Sequence, residues 1–168
     1  MFPPIFWIEC GGTGRLAIVS RPAAERLSQE IAAWRAAGLT MVASLLEPEE
    51  QRVLELRDEA ALCHAHGIEF ALFPIADGGV PASLEDGVAL ARRLAQVVEA
   101  GGTVGVHCRA SIGRSGMIAA TVLMALGRSE DQALKAVAAG RGLRVPETLG
   151  QRAWVSLAAR ELAPRSEA

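Results

Sequence analysis

The sequence predicts an α/β fold, a central and mostly parallel sheet flanked by helices on both faces, in a single domain over residues 1–168. Three observations carry that expectation. Apolar runs of strand length alternate with helical patterns along most of the chain, the signature of strand–helix–strand crossovers. A length of 168 residues suits one domain with a substantial buried core. No internal repeat, low-complexity stretch or linker divides it.

The elements follow in order. Residues 5–8 and 15–19 are short apolar runs around Cys10-Gly11-Gly12-Thr13-Gly14, and read as a β-hairpin or two edge strands. The glycine cluster lacks the Lys-Ser/Thr and the strand–turn–helix setting of a phosphate loop, so it reads as a turn. Pro22 opens a helix with Leu27, Ile31 and Trp34 on its apolar face and Gly38 at its end. Residues 39–46 form a buried-type strand. Pro48 starts a second helix, with Glu49 and Glu50 at the positive end of its dipole and Val53, Leu56, Ala60 and Cys63 on its buried face. Gly67 closes it, a strand occupies 68–73, and a loop covers 74–81. Ser83 with Asp86 caps a third helix running to about Ala100, ended by Gly101-Gly102. Residues 103–107 are a strand, 108–116 a loop, and 117–126 an apolar helix. Ser129 with Gln132 caps another helix to about Ala139. Pro146 and Glu147 start the last one, with Leu149, Trp154, Leu157 and Leu162 as core candidates, and the tail from Pro164 is expected to fray.

In such folds ligands bind beyond the carboxyl ends of the strands. Loops 74–81 and 108–116 both fall there. The strand before Cys108 is expected near the sheet centre, and the strand before loop 74–81 is expected beside it.

A net charge of −2 provides no field for nucleic acid or an anionic membrane. The longest apolar run, 117–126, has about half the roughly 20 residues of a membrane span, and the N-terminus has no basic region typical of a signal peptide. A cytoplasmic protein without nucleic-acid or membrane partners is expected. The cysteines Cys10, Cys63 and Cys108 are odd in number and widely spaced, which is neither a disulfide framework nor a zinc pattern. In Cys63-His64-Ala65-His66, neighbours on a helix face different ways. No metal and no cofactor are expected.

The segment His107-Cys108-Arg109-Ala110-Ser111-Ile112-Gly113-Arg114-Ser115-Gly116 joins a strand to a helix. A tight loop here turns the backbone N–H groups of Arg109, Ala110, Ser111, Ile112, Gly113 and Arg114 inward as an anion nest, reinforced by the helix N-terminus. The same field favours a thiolate on Cys108, the nucleophilic form. Arg114 can hold two phosphate oxygens with its planar fork and stabilise their charge in a transition state. Ser115 can donate to the sulfur when it leaves. His107 is read as support for the loop backbone. Asp77, in the glycine-rich loop, is the candidate general acid for the departing oxygen and then the base for the attacking water. Arg109 can also face substrate, and Arg141 and Arg144 are candidates for the pocket rim.

Cys108 and Arg114 match the Cys-x5-Arg signature, and the chain resembles the protein tyrosine and dual-specificity phosphatases. Pro74-Ile75-Ala76-Asp77 with Pro81 is similar to that family's general-acid loop. The stretch 39–46 with Glu49 and Glu50, and Val145-Pro146-Glu147-Thr148 with Gln151, resemble the compact, kinase-associated-phosphatase-like branch, including bacterial members. The resemblance implies metal-free hydrolysis of phosphotyrosine or phosphoserine/threonine proteins through a phosphocysteine, with Gln151 a candidate for positioning water. Two features depart from the family: Ser111 stands where glycine is usual, and the chain has no tyrosine for an aromatic wall. Three other readings stay open: a phosphatase for phosphoinositides or other small phosphates, an inactive phosphate-binding module, and a thiol redox or sulfur-transfer protein that would not need Asp77.

Overall fold

Side-chain alternation along the central strands sets the architecture, because a strand sends successive residues to opposite faces. In β2 (Arg15–Val19), Leu16 and Ile18 enter one buried cluster while Ala17 and Val19 enter another. In β3 (Met41–Ser44), Met41 and Ala43 join the first and Val42 the second. Both faces are therefore apolar, and both are covered. In this computed structural model, which describes residues 2–164, β1 (Ile5–Ile8), β4 (Glu69–Leu72) and β5 (Thr103–His107) complete a five-stranded sheet of order β1-β2-β5-β3-β4. The β1–β2 pair is antiparallel, so residues 5–19 form a hairpin, and the other pairings are parallel. β5 is central, as expected.

One face carries α1 (Leu27–Ala36), with Leu27, Ile31 and Trp34 buried, and α3 (Glu59–Ala65), with Cys63 buried. The other carries α4 (Leu84–Glu99), α5 (Gly113–Ala125), α6 (Glu130–Arg141) and α7 (Leu149–Leu162). α5 is buried from Gly113 to Met124, enclosed by α4, α6, α7 and the sheet. Gly105 in β5 is required by close packing: a Cβ there would lie 2.7 Å from Leu39 and 3.1 Å from Val19.

Three sequence expectations are corrected. The second helix is two: α2 (Pro48–Val53) ends, Glu55 turns through a left-handed conformation (φ 55°), and α3 starts at Glu59. The break sends Leu56 into the core and leaves Val53 56% exposed. The helix after the Cys108 loop begins at Gly113 rather than 117, so Arg114 and Ser115 are helical. The last helix begins at Leu149, with Thr148 and Gln151 forming a capping box. Its buried stripe is Gln151, Trp154, Val155 and Ala158, so Leu149 (87% exposed) and Leu157 lie outside the core. The expected fraying beyond Pro164 falls outside the described residues.

Candidate active site

Cys108 follows the last residue of β5 and its side chain is 3% exposed. The backbone then turns through Ser111, which has a left-handed φ of 54°, and enters α5 at Gly113. Two contacts hold this turn from outside: Ser111 Oγ donates to Val19 O at 2.8 Å, and Arg141 Nε donates to Ser111 O at 2.8 Å. The Arg141 guanidinium also stacks over Phe6 at 4.0 Å. The backbone N–H groups of residues 109–115 donate to no carbonyl or side chain among the described residues. A run of unpaired donors ending at a helix N-terminus and beside a buried thiol is an anion nest. Ser115 Oγ lies 3.5 Å from Cys108 Sγ, within reach of a sulfur hydrogen bond.

Arg114 is 2% exposed yet fully engaged. Its Nη1 donates to Glu50 Oε2 at 2.7 Å and to Ile75 O at 2.8 Å, and its Nη2 donates to Glu50 Oε1 at 2.9 Å and to Asp77 Oδ1 at 3.0 Å. This bidentate fork fixes the guanidinium plane. Burial works to raise the Glu50 carboxyl, but Arg114's hydrogen bonds, the Glu47 N–H and Arg114's charge outweigh it and hold Glu50 below its ordinary 4.5. Burial likewise opposes the Arg114 charge, and Glu50, Cys108 and Asp77 together still raise its pKa.

Asp77 reaches the site by a route the sequence reading missed. Its strand, β4, pairs only with β3, which lies between it and β5. The following loop crosses the end of β3 instead: Phe73 N donates to Ser44 O at 2.9 Å and Ile75 N to Leu45 O at 3.1 Å. That crossing delivers the exposed Asp77 carboxylate to Arg114.

His107 is buried behind the loop. Its Nε2 lies 2.7 Å from Glu59 Oε1, and its Nδ1 lies 3.3 Å from Cys108 O. Gln151 is fully buried and spans two elements: Oε1 accepts from the Glu147 and Thr148 N–H groups, and Nε2 donates to Gly79 O at 3.1 Å. A Cβ on Gly113 would lie 2.8 Å from that Oε1, so glycine is needed where the phosphate loop meets α7. Arg109 is exposed beside the loop. Glu50 and Glu59 are the site residues the sequence reading missed as such. Glu50 was read as a helix-start acid and as part of the family-like stretch, undistinguished from its neighbour Glu49, whose side chain is 69% exposed. Among the described residues no group of His, Cys, Asp and Glu could hold a metal ion, and no helix is long and apolar enough to cross a membrane.

A buried thiol, an anion nest, a fixed arginine and an exposed carboxylate on one sheet edge define a cysteine-dependent phosphatase class. A family model described as Tc-R-P, polymorphic toxin system, DSP-PTPase phosphatase, matches residues 19–128, and the chain belongs to that family. Solved structures with the same fold include kinase associated phosphatase with its catalytic-site cysteine replaced by serine (19% identity, TM-score 0.84, covering 96% of this chain and 97% of that one). Tk-PTP in its active form is 28% identical, with a TM-score of 0.75 and coverage of 95% and 99%. Human DUSP28 is 21% identical, with a TM-score of 0.66 and coverage of 96% and 99%. No curated protein matches the sequence. The protein is therefore a protein phosphatase of the tyrosine and dual-specificity type.

Proposed function

We propose that this phosphatase acts on phosphotyrosine and/or phosphoserine/threonine side chains of proteins through a phosphocysteine on Cys108. The observation that carries the reading is the placement of the Cys108 thiol at the mouth of a loop whose N–H groups have no protein acceptor, with Arg114 fixed at its far end.

A substrate phosphate dianion docks on the 109–114 amides and on Arg114. In taking the Nη2 edge of the guanidinium it displaces Asp77, which then faces the leaving oxygen. Cys108 Sγ attacks phosphorus, the P–O ester bond breaks, and Asp77 gives its proton to the leaving oxygen. In the second step the Asp77 carboxylate takes a proton from water, the water oxygen attacks phosphorus, and the P–S bond breaks while Ser115 Oγ donates to the departing sulfur. Glu50 holds the Arg114 plane throughout. His107 anchors the Cys108 carbonyl. Gln151, braced between Gly79 and the start of α7, positions the Asp77 loop and stands beside the nest for the attacking water.

The test is hydrolysis of p-nitrophenyl phosphate in the presence of a chelator. Turnover that resists the chelator, is abolished in Cys108→Ser, and falls by about 10²-fold or more in Arg114→Lys and in Asp77→Asn supports the reading. A folded, reduced protein that binds vanadate without turnover overturns it and leaves a phosphate-binding module.

A further inference from the structure

β4 ends one side of the sheet, and its outer edge pairs with no other strand among the described residues. Glu69 N and Phe73 N donate inward to Thr40 O and Ser44 O, each at 2.9 Å. Backbone groups alternate along a parallel strand, so the N–H and C=O of Phe70 and Leu72 point outward. Side chains alternate too: Ala71 and Phe73 turn to the α4 layer and Phe70 to the opposite one. A groove of about 460 Å³ runs along the strand from Phe70 to Phe73 and against α4 at Asp86, Ala89, Leu90 and Arg93. Leu72 at its lip is 44% exposed. The opposite edge strand is backed more tightly: α6 lies so close to β1 that a Cβ on Gly140 would be 2.5 Å from Trp7 O. An open edge strand with apolar side chains and neither lysine nor proline is a template for another strand.

The geometry points to a second copy of this chain as the occupant, added edge to edge, with β4 antiparallel to the partner's β4 and α4 beside the partner's α4. The inference does not depend on which phosphate ester the enzyme hydrolyses. It rests on the fit of this patch to itself, the condition that a two-fold interface imposes. Outward residues must face outward residues in an antiparallel pair, so Phe70 meets the partner's Leu72 and Ala71 meets the partner's Ala71 at the axis. Along α4, Asp86 and Arg93 are both exposed, and the midpoint between them falls between Ala89 and Leu90. A two-fold axis at that midpoint sets each Asp86 against the partner's Arg93 and leaves small and apolar residues at the centre. The two centres agree in level. Arg93 lies 3.9 Å from Glu69 at the start of β4, and Asp86 lines the groove with Phe73 beyond its end, so Ala89 and Leu90 stand beside Ala71. One axis therefore completes the strand pairing and both ion pairs. Charge complementarity of this kind favours a second copy over an unrelated strand, which has no reason to match Asp86 and Arg93 at that spacing.

The experiment is sedimentation velocity of the full chain over a concentration series, with Asp86→Arg and Arg93→Asp measured singly and mixed. Both positions are exposed, and circular dichroism first shows that each variant is folded. The parent is expected to dimerise with a dissociation constant on the order of 10 µM, as a small interface gives. Each single variant sets like charges against each other in its own dimer and is expected to weaken it by about tenfold or more. The equimolar mixture restores the dimer, because a heterodimer of the two pairs opposite charges at both places. Leu72→Pro tests the strand separately: it removes an outward N–H and leaves the bonds to β3 in place, so the dimer is expected to be lost while the fold remains. A parent that stays monomeric up to about 0.1 mM overturns the inference and leaves the edge to a strand of another protein. A dimer indifferent to both charge reversals, or to Leu72→Pro, overturns it by placing the interface elsewhere. Folded single variants that lose the dimer without recovering it on mixing overturn the two-fold register.

Discussion

Ser111 occupies a backbone conformation that costs a non-glycine residue about 1–3 kcal/mol, and its hydroxyl recovers part of that through the buried bond to Val19 O. Removing the hydroxyl and removing the strain are separable. Ser111→Ala loses the bond and keeps the strain, so it is expected to destabilise by about 1–2 kcal/mol. Ser111→Gly loses the bond and the strain together and is expected within about 1 kcal/mol of the parent. Thermal unfolding should therefore rank glycine above alanine, and the reverse order would show that the loop is not strained. Glu50 has a pH signature. Its folded pKa lies below its ordinary 4.5, so its contribution is complete above that value and is lost as pH falls through the lowered folded value. Glu50→Gln leaves the buried Arg114 with only the exposed Asp77 as counter-charge, a loss of about 3 kcal/mol near neutral pH, and should flatten the acid limb of a pH–stability curve. An unchanged acid limb in that variant would place the linkage elsewhere. The Cys108–Arg114 loop was legible because its meaning lies in a short contiguous pattern. Glu50 and Glu59 were not, because their partners lie 64 and 48 positions away and only the fold shows which carboxylates turn inward.

Among the elements, the break between α2 and α3 is the most instructive. Helical spacing placed Val53 and Leu56 on one buried face, and over that stretch a single helix and two short helices have the same apolar pattern. What separates them is Glu55 in its left-handed turn, a position at which sequence offers no glycine as a marker. The two readings differ in energy. Leu56→Ala should cost about 2–5 kcal/mol because Leu56 is fully buried, and Val53→Ala should stay within about 0.5 kcal/mol. At about 2–4 °C per kcal/mol, thermal midpoints resolve them easily. Equal losses would restore the single helix. The capped helices α4 and α6 were legible from Ser83 and Ser129 because a side-chain oxygen accepting from an N–H three residues on is a local event, whereas the equivalent Thr148 cap of α7 was passed over for Pro146.

Across the whole molecule, the three thiols are kept apart by the sheet. Cys10 precedes β2 and bonds to Gly14 O, at the amino ends of the parallel strands, whereas Cys108 follows β5 at the carboxyl ends. The length of β5 alone puts them roughly 15 Å apart, beyond the about 7 Å that a disulfide can bridge. Cys63 is buried in the opposite core layer, where burial and then Glu59 push its thiol up to about 12. Peroxide should therefore convert Cys108 to sulfenic and higher acids and form no intramolecular disulfide, unlike an enzyme with a resolving cysteine. Peptide mapping by mass spectrometry finds such a link directly, and a Cys108 peptide joined to the Cys10 or Cys63 peptide in folded protein would show that the sheet opens.

The central position of β5 also fixes when, during synthesis, a working molecule can exist. Arg15 pairs with Thr103 and Met41 pairs with Val104, so both inner neighbours wait for a strand made after well over half the chain. Until then the hairpin and the β3–β4 pair are fragments without a common sheet, with apolar faces open to water. The nucleophile is the residue after that keystone strand. A nascent chain therefore has no partial activity to release on its way out of the ribosome; catalysis and the sheet arrive together.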